Sequence, residues 1–135
     1  MTNDLTQRLI EHGVKPSAQR VAVAEYVLTT ADHPSADMVW NAVRRNFPMI
    51  SRATVYNTLH LFARKGLLRE YVITEGKVVF DPKVERHHHF VDETTGRIHD
   101  VPWSRIQVRN VGALNDYEIH DYQVVMRGKM KASKR

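Results

Sequence analysis

The sequence predicts an α+β protein in which a winged helix-turn-helix is followed by a smaller domain of β-strands. Two observations indicate this class. Apolar residues recur at helical spacing in four segments before residue 66, and they adopt the two-residue period of strands after it. The length of 135 residues fits one ordinary domain or two small ones that share a core. We therefore place the winged domain at residues 1–80, a hinge at 81–86 and the smaller domain at 87–135.

Cap and stop residues delimit the four predicted helices. Serine precedes three of them, at Ser17, Ser35 and Ser51, where its hydroxyl can accept a hydrogen bond from the first turn. Gly13 ends the first helix and Gly66 ends the fourth, which is expected to run over residues 52–65. The third helix is expected to bury one apolar stripe, formed by Met38, Val39, Ala42 and Val43.

A β-hairpin is predicted directly after the fourth helix. Two β-rich runs, 67–73 and 77–80, flank a Thr-Glu-Gly turn at 74–76. Helices followed by a hairpin are typical of a winged helix-turn-helix, in which the last helix enters the major groove and the hairpin lies over the phosphates. A helical bundle with an incidental hairpin is the alternative. The polar face of the fourth helix favours the DNA-binding interpretation, because Arg52, Tyr56 and Asn57 are residue types that contact base edges or phosphates.

The second half of the chain is mostly β in pattern. Strands are expected near 87–92, 97–101 and 117–127, and residues 103–114 are left as irregular chain or one short helix. About 50 residues make a poor independent core, so we expect a homodimer, whose two-fold axis would match a palindromic operator in double-stranded DNA. The basic tail, 127–135, is expected to be frayed and solubilising.

Composition excludes several classes of protein and of site. The chain is 42% hydrophobic and 26% charged, as in soluble globular proteins, and no apolar run approaches the roughly 20 residues of a membrane helix. The N-terminus has no signal-peptide pattern, so a cytoplasmic protein with no membrane partner is expected. A net charge of +5 is compatible with a polyanionic partner. Because cysteine is absent, any metal must be held by nitrogen and oxygen atoms.

A histidine triplet at 87–89 predicts a metal site. Side chains alternate along a strand, so His87 and His89 would project together while His88 points the other way. Asp81 and Asp100 lie close enough in the pattern to add hard oxygen ligands, and this mixture suits iron, manganese or zinc. The alternative is a polar surface strand whose histidines bind nothing.

Four stretches of the sequence together resemble the ferric uptake regulator (Fur) superfamily of bacterial metal-dependent repressors. They comprise Gly-Val-Lys at 13–15 with Gln-Arg at 19–20, His-Pro-Ser-Ala-Asp at 33–37, the segment 50–59, and the triplet with Gly-Arg-Ile-His-Asp at 96–100. The resemblance implies a regulatory metal site formed by His33, Asp81, His87, His89 and Asp100. It implies a winged-helix DNA-binding domain followed by a dimerisation and metal-sensing domain.

The resemblance also implies which residues contact DNA. The DNA-reading role falls on the helix that begins at Ser51, with Arg52 and Tyr56 as the main candidates and Asn57 on the same polar face. Lys15 and Arg20 are the expected phosphate contacts.

Asp100 resembles the peroxide-sensing, PerR-like branch of the family, since iron regulators more often carry Glu at this ligand position. Departures from the family pattern elsewhere imply that structural zinc is absent. Asp92 and Thr95 replace the first cysteine pair, and nothing after Gly128 supplies the second. Arg86, Gln107 and Tyr122 replace ligands of an auxiliary site, which leaves His88 as its only candidate ligand. We therefore expect one regulatory site per subunit, for Fe(II) or Mn(II), with zinc binding in vitro. The resemblance implies that peroxide oxidises His33 and His87.

Two alternatives follow from the same residues. The cysteine-free triplet also resembles the haem-responsive, Irr-type iron regulators, in which haem would meet the triplet and His88 would be the key ligand. A hypothesis of another class is a small metal-dependent hydrolase whose ligands activate water. The sequence contains no clear additional general base or substrate-pocket motif for that activity.

Overall fold

The computed structural model describes residues 4–74 and 76–132. In these ranges the chain divides into two compact units, with the boundary between Val84 and Glu85. The α+β class is confirmed. The elements, in chain order, are α1 (Asp4–Glu11), α2 (Ala18–Val27), α3 (Ala36–Val43), α4 (Arg52–Arg64), β1 (Arg69–Thr74), β2 (Lys77–Asp81), β3 (His87–Asp92), β4 (Ile98–Pro102), the 3-10 turns Trp103–Arg105 and Val111–Ala113, and β5 (Val125–Gly128).

Serine caps begin three helices of the first unit, as predicted. The hydroxyls of Ser17, Ser35 and Ser51 accept from the backbone N–H three residues later, at 3.2, 3.3 and 3.0 Å respectively. Each bond satisfies a helix N–H that would otherwise have no partner within the helix. Gly66 follows α4 with a φ of 79°, a left-handed conformation that favours glycine at a helix end.

The helices bury one apolar cluster within the first unit. Val39 and Val43 of α3 lie in it, whereas Met38 is 45% exposed, so the prediction that Met38 is buried was wrong. Position 38 is turned away from the stripe that Ala36, Val39 and Val43 form at spacings of three and four. Further members of the cluster are Leu9, Val23, Val27, Val55, Leu59, Phe62, Leu67, Leu68 and Phe80.

The hairpin after α4 is an antiparallel β1–β2 pair. Its register runs from Arg69 opposite Asp81 to Thr74 opposite Lys77, with an irregularity after Val72. The first strand begins two residues later than predicted because Leu67 and Leu68 are buried in the helical core. Gly76 in the turn has a φ of 73°, and Glu75, also assigned to the turn, lies outside the described residues.

The second unit contains a three-stranded sheet in the order β4-β3-β5. The central strand β3 pairs antiparallel with β4, which places His89 opposite Asp100. It pairs in parallel with β5, with His89 opposite Val125. His89 therefore lies between two neighbouring strands.

The third predicted strand is much shorter than expected. Only Val125–Gly128 is a strand, and the 117–124 part of the prediction was wrong. Tyr117 is 69% exposed and Ile119 is 39% exposed, so their alternation along the chain corresponds to no sheet. Of the basic tail, residues 133–135 lie outside the described residues. No helix in the described ranges has the length and apolar character that crossing a membrane requires.

Candidate metal centre

The first unit brings two of the predicted ligands together. Nε2 of His33 lies 3.1 Å from Oδ2 of Asp81, and both side chains are buried. His33 belongs to the connection between α2 and α3, and a hydrogen bond from Phe80 N to Pro34 O, 2.9 Å long, fixes that connection beside the end of β2. Oδ1 of Asp81 accepts from the Lys83 N–H at 2.9 Å, which holds the carboxylate in place.

The second unit brings the other three predicted ligands together. His87 and His89 project from the same face of β3, as predicted, with ring centroids 4.7 Å apart. Oδ1 of Asp100 lies 3.3 Å from Nε2 of His87 and 3.6 Å from Nε2 of His89. Because β4 pairs with β3, the sheet register itself delivers the aspartate to the two imidazoles.

The hydrogen bond at Nδ1 of His87 leaves the other ring nitrogen, Nε2, available to bind a cation. Nδ1 of His87 lies 2.6 Å from the Glu85 carbonyl oxygen, which can only accept. In the neutral ring Nδ1 therefore carries the proton, and the lone pair of Nε2 points at the Asp100 carboxylate. A proton on Nε2 or a cation between the two groups would make this contact favourable, and nitrogen with oxygen donors suits Fe(II), Mn(II) or Zn(II).

His88 lies on the opposite face of β3 in a different environment. It is fully buried and stacked on Trp103, with ring centroids 4.4 Å apart and an interplanar angle of 17°. Its Nδ1 accepts a hydrogen bond from Val124 N–H at 2.9 Å. Burial lowers the pKa of His88, and the neighbouring His89 lowers it further. A neutral ring with Nδ1 as acceptor has its proton on Nε2, which argues against His88 as a haem or second-site ligand.

All three histidines of the triplet are buried, so the hypothesis of a polar surface strand is wrong. Two of the residues that replace the auxiliary-site ligands, Arg86 and Tyr122, pack around Trp103 within the second unit. The Arg86 guanidinium lies 3.9 Å from the centroid of the Trp103 ring, and the Tyr122 ring is 5.0 Å from the same ring. Gln107 is exposed.

The turn after β3 is held by side-chain oxygens at the positions where the resemblance would put cysteines. A carboxylate oxygen of Asp92 accepts from Thr94 N–H at 2.9 Å, and Thr95 Oγ1 accepts from Arg97 N–H at 3.1 Å. The Thr94 N–H is the main cause that lowers the pKa of Asp92 below its ordinary value. Carboxylate and hydroxyl groups thus close this turn by hydrogen bonding.

The predicted DNA contacts on α4 face solvent. Arg52, Tyr56 and Asn57 are all exposed. The Arg52 guanidinium lies 4.5 Å from the centroid of the Trp40 ring, and its Nε is 4.0 Å from Oδ1 of Asp37. Arg52 is therefore oriented by two neighbours from α3 while remaining accessible.

The predicted phosphate contacts lie at the start of α2. Nη1 of Arg20 donates to the Lys15 carbonyl at 2.8 Å, which places the two cationic residues close together. A groove of about 350 Å³ runs between α2 and α4, and Arg20, Thr54 and Asn57 are among its lining residues. Within the first unit, Arg20 therefore lines the same groove as Asn57 of the polar face of α4.

Comparison with known proteins identifies the family. A sequence profile described as the Ferric uptake regulator family matches residues 11–127. The chain belongs to the Fur family. It is 29% identical over 125 residues to the peroxide-responsive repressor PerR of Staphylococcus aureus, covering 91% of this chain and 84% of that protein. The match extends over both units of the Fur-family chain, so the predicted PerR-like resemblance is confirmed.

Solved structures of Fur-family proteins share the fold. The ferric uptake regulator of Vibrio cholerae superposes with a TM-score of 0.72 at 26% identity, over 94% of this chain and all of that one. The Campylobacter jejuni peroxide stress regulator gives a TM-score of 0.66 at 24% identity, over 98% of this chain and all of that one. The Fur family consists of metal-responsive transcriptional regulators, which bind DNA as dimers, and not of hydrolases.

Sequence reasoning missed the groups that orient the histidines. Glu85 contributes only its backbone carbonyl to His87, and side-chain identity cannot reveal such a contact. Gln123 lies 34 positions after His89, with its Oε1 2.7 Å from the Nδ1 atom of that histidine. Residue 123 was assigned to a strand, and no motif in the sequence connects it to the triplet.

Proposed function

We propose that this Fur-family chain is an Fe(II)- or Mn(II)-dependent DNA-binding repressor that senses peroxide through oxidation of its ligand histidines. The observation that best supports this function is the arrangement on β3, where Nε2 of His87 and Nε2 of His89 both lie within 3.6 Å of Asp100 Oδ1. Two imidazole nitrogens and a carboxylate on one sheet face make an incomplete coordination shell. His33 and Asp81 of the first unit offer two more ligands of the same kinds.

One ion shared by the two groups would make the metal a clamp between the domains. His33 and Asp81 belong to the proposed DNA-binding domain at 1–80 and to the start of the proposed hinge at 81–86. The other three ligands belong to the proposed dimerisation and metal-sensing domain at 87–135. A shared ion would favour the DNA-competent arrangement, and loss of the ion would release it. Each subunit would then have one regulatory site and no structural zinc.

The DNA-binding half would use α4 in the major groove and the β1–β2 hairpin over the backbone. Arg52, Tyr56 and Asn57 are exposed on α4, where they can reach base edges. Lys15 and Arg20 would contact phosphates beside the groove between α2 and α4. A homodimer would present two such helices to a palindromic operator.

The peroxide response would depend on which metal is bound. Fe(II), when bound, supplies the redox chemistry that reduces peroxide and adds oxygen to a ligating imidazole, and Mn(II) does not. His33 and His87 are the proposed targets. Both rings are buried beside a carboxylate, which would hold them at the site. An imidazole that has gained oxygen keeps both nitrogens but would be a poorer metal ligand, which would release the clamp.

Gel retardation with a DNA fragment enriched from random sequence by the Mn(II)-loaded protein tests this function. The Fe(II) and Mn(II) forms should both retard the fragment, and the metal-free protein should not. Dilute peroxide should abolish retardation by the Fe(II) form only, with one added oxygen on peptides containing His33 or His87 in mass spectrometry. Peroxide sensing is refuted if both forms survive and neither peptide gains oxygen. Equal retardation by the metal-free and metal-loaded proteins would refute metal dependence.

A further inference from the structure

We propose that Gln123 is a positioning residue of the metal site, which fixes the tautomer and orientation of His89. The inference rests on the proposed function, because it concerns a ligand of the proposed regulatory ion. Oε1 of Gln123 lies 2.7 Å from Nδ1 of His89. An amide oxygen only accepts hydrogen bonds, so Nδ1 of His89 is the donor and carries the ring proton.

The chain around Gln123 is anchored on both sides of this contact, to β3 through Val124 and to Arg86 through Asp121. The His89 N–H donates to Val124 O at 3.0 Å, and the Val124 N–H donates to Nδ1 of His88 at 2.9 Å. Nε of Arg86 lies 3.7 Å from Oδ1 of Asp121, which is two residues before Gln123. Residue 123 is therefore held against His89 by neighbouring contacts, although its segment before β5 has no regular secondary structure.

Fixing the proton on Nδ1 decides what the other nitrogen of His89 can do. Nε2 then has a lone pair, and it lies 3.6 Å from the Asp100 carboxylate, on the side of the ring where a cation would bind. Histidines that bind metals generally donate their second ring N–H to a carbonyl or carboxylate, and removing that partner costs about 10- to 100-fold in affinity. Gln123 provides this acceptor for His89, as the Glu85 carbonyl does for His87.

Hydrogen bonding therefore predicts alternating tautomers along the triplet. His87 and His89 have the proton on Nδ1, where an oxygen accepts it. His88 has it on Nε2, because its Nδ1 receives the Val124 N–H. The two rings on the metal face would expose Nε2 lone pairs, and the ring between them would not.

Tautomers can be read directly from the metal-free wild-type protein. Long-range ¹H–¹⁵N spectra at alkaline pH should show His87 and His89 as Nδ1–H tautomers and His88 as the Nε2–H tautomer. An Nε2–H tautomer for His89 would overturn the proposal. This readout needs neither metal nor DNA, so it remains decisive if the proposed regulatory function fails.

Substitution tests the consequence for metal binding. Gln123→Met keeps a similar length but removes the acceptor, and it should weaken Mn(II) binding by about tenfold or more in calorimetric titration. Gln123→Glu keeps an accepting oxygen and should retain wild-type affinity or exceed it. Gln107→Met is the matched control, because Gln107 is exposed in the same unit. Circular dichroism would verify that each variant folds.

The outcomes separate this proposal from the proposed function. Unchanged Mn(II) affinity in Gln123→Met, together with a large loss in His89→Ala, would overturn the role of Gln123 alone. Unchanged affinity in His89→Ala would overturn the metal site itself. If Gln123→Met does not fold, the wild-type spectrum and the affinity of Gln123→Glu still decide, since a tenfold loss in Gln123→Glu would contradict the acceptor role.

Discussion

Nε2 of His33 lies 3.1 Å from Oδ2 of Asp81, although two helices and a strand separate the two residues in the chain. The contact forms because the connection after α2 is hydrogen-bonded to the end of β2 through Phe80 and Pro34. The first unit thus prepares a nitrogen and an oxygen donor next to each other. His33 adopts a φ of 51° to do so, a left-handed conformation that is unfavourable for a histidine.

Backbone strain at His33 predicts a difference between two substitutions. Asparagine tolerates the left-handed region better than alanine, so His33→Asn should be more stable than His33→Ala by about 1 kcal/mol. Urea unfolding of the metal-free proteins measures this difference. Both variants remove the imidazole, so both should lose Mn(II) affinity by a similar factor. Equal stabilities, or a more stable alanine variant, would contradict the strain at this position.

The role of His88 predicts a stability defect with little effect on metal binding. His88→Phe preserves an aromatic ring against Trp103 but removes the acceptor of the Val124 N–H. Loss of that acceptor should cost about 1–3 kcal/mol in the free energy of unfolding. Mn(II) affinity should fall far less than in His87→Ala. A haem Soret band that disappears in His88→Phe would instead support the haem-responsive alternative.

DNA binding should depend differently on Arg52 and Lys15. Arg52→Ala removes an exposed residue of α4 that is a candidate for reading bases. It should relax the sequence preference at one operator position and weaken the binding free energy by about 1–3 kcal/mol. Lys15→Ala should weaken binding to all DNA sequences. It should also reduce by about 1 the slope of the logarithm of the binding constant against the logarithm of salt concentration. Fluorescence anisotropy of the Mn(II) form at several salt concentrations distinguishes the two. Arg109→Ala, exposed in the second unit, is the control and should change neither quantity.

Acid should weaken the turn after β3 through Asp92. Its pKa is lowered by the Thr94 N–H, so the folded state binds this proton less readily than the unfolded chain. The carboxylate therefore contributes stability above the ordinary value of 3.8, and that contribution is lost as pH falls through the lowered pKa. Asp92→Asn should be less stable than wild type at pH 7 and should differ less from it at pH 3. Asp116→Asn, exposed in the same unit, should show no such pH-dependent difference.

Local chemistry explains which parts of the fold could be predicted. Ser17, Ser35 and Ser51 act within three residues of their own positions, and the alternation of His87 and His89 is a property of any strand. Such features depend on short stretches of chain. The prediction for Met38 failed because this residue lies two positions after the buried Ala36 and therefore on another face of the helix. The apolar character of methionine does not specify which face of the helix is buried.

Long-range contacts explain what could not be predicted. Tyr117 and Ile119 alternate like strand residues, but a strand also needs a neighbour in register, and the edge of β3 opposite β4 pairs with residues from Val125 onward. The assignment of His33 to the metal site came only from family resemblance, because it precedes Asp81 by two helices and a strand. Gln123 was missed because its partner, His89, lies 34 positions away.

The stoichiometry of Mn(II) binding tests the central claim most directly. If one ion is shared by His33 and Asp81 with His87, His89 and Asp100, wild-type protein should bind one Mn(II) per chain in equilibrium dialysis. His33→Ala and His89→Ala should each lose that same ion at concentrations that saturate wild type. Two ions per wild-type chain, with one retained in each variant, would show that the two groups bind separately and would contradict the shared clamp.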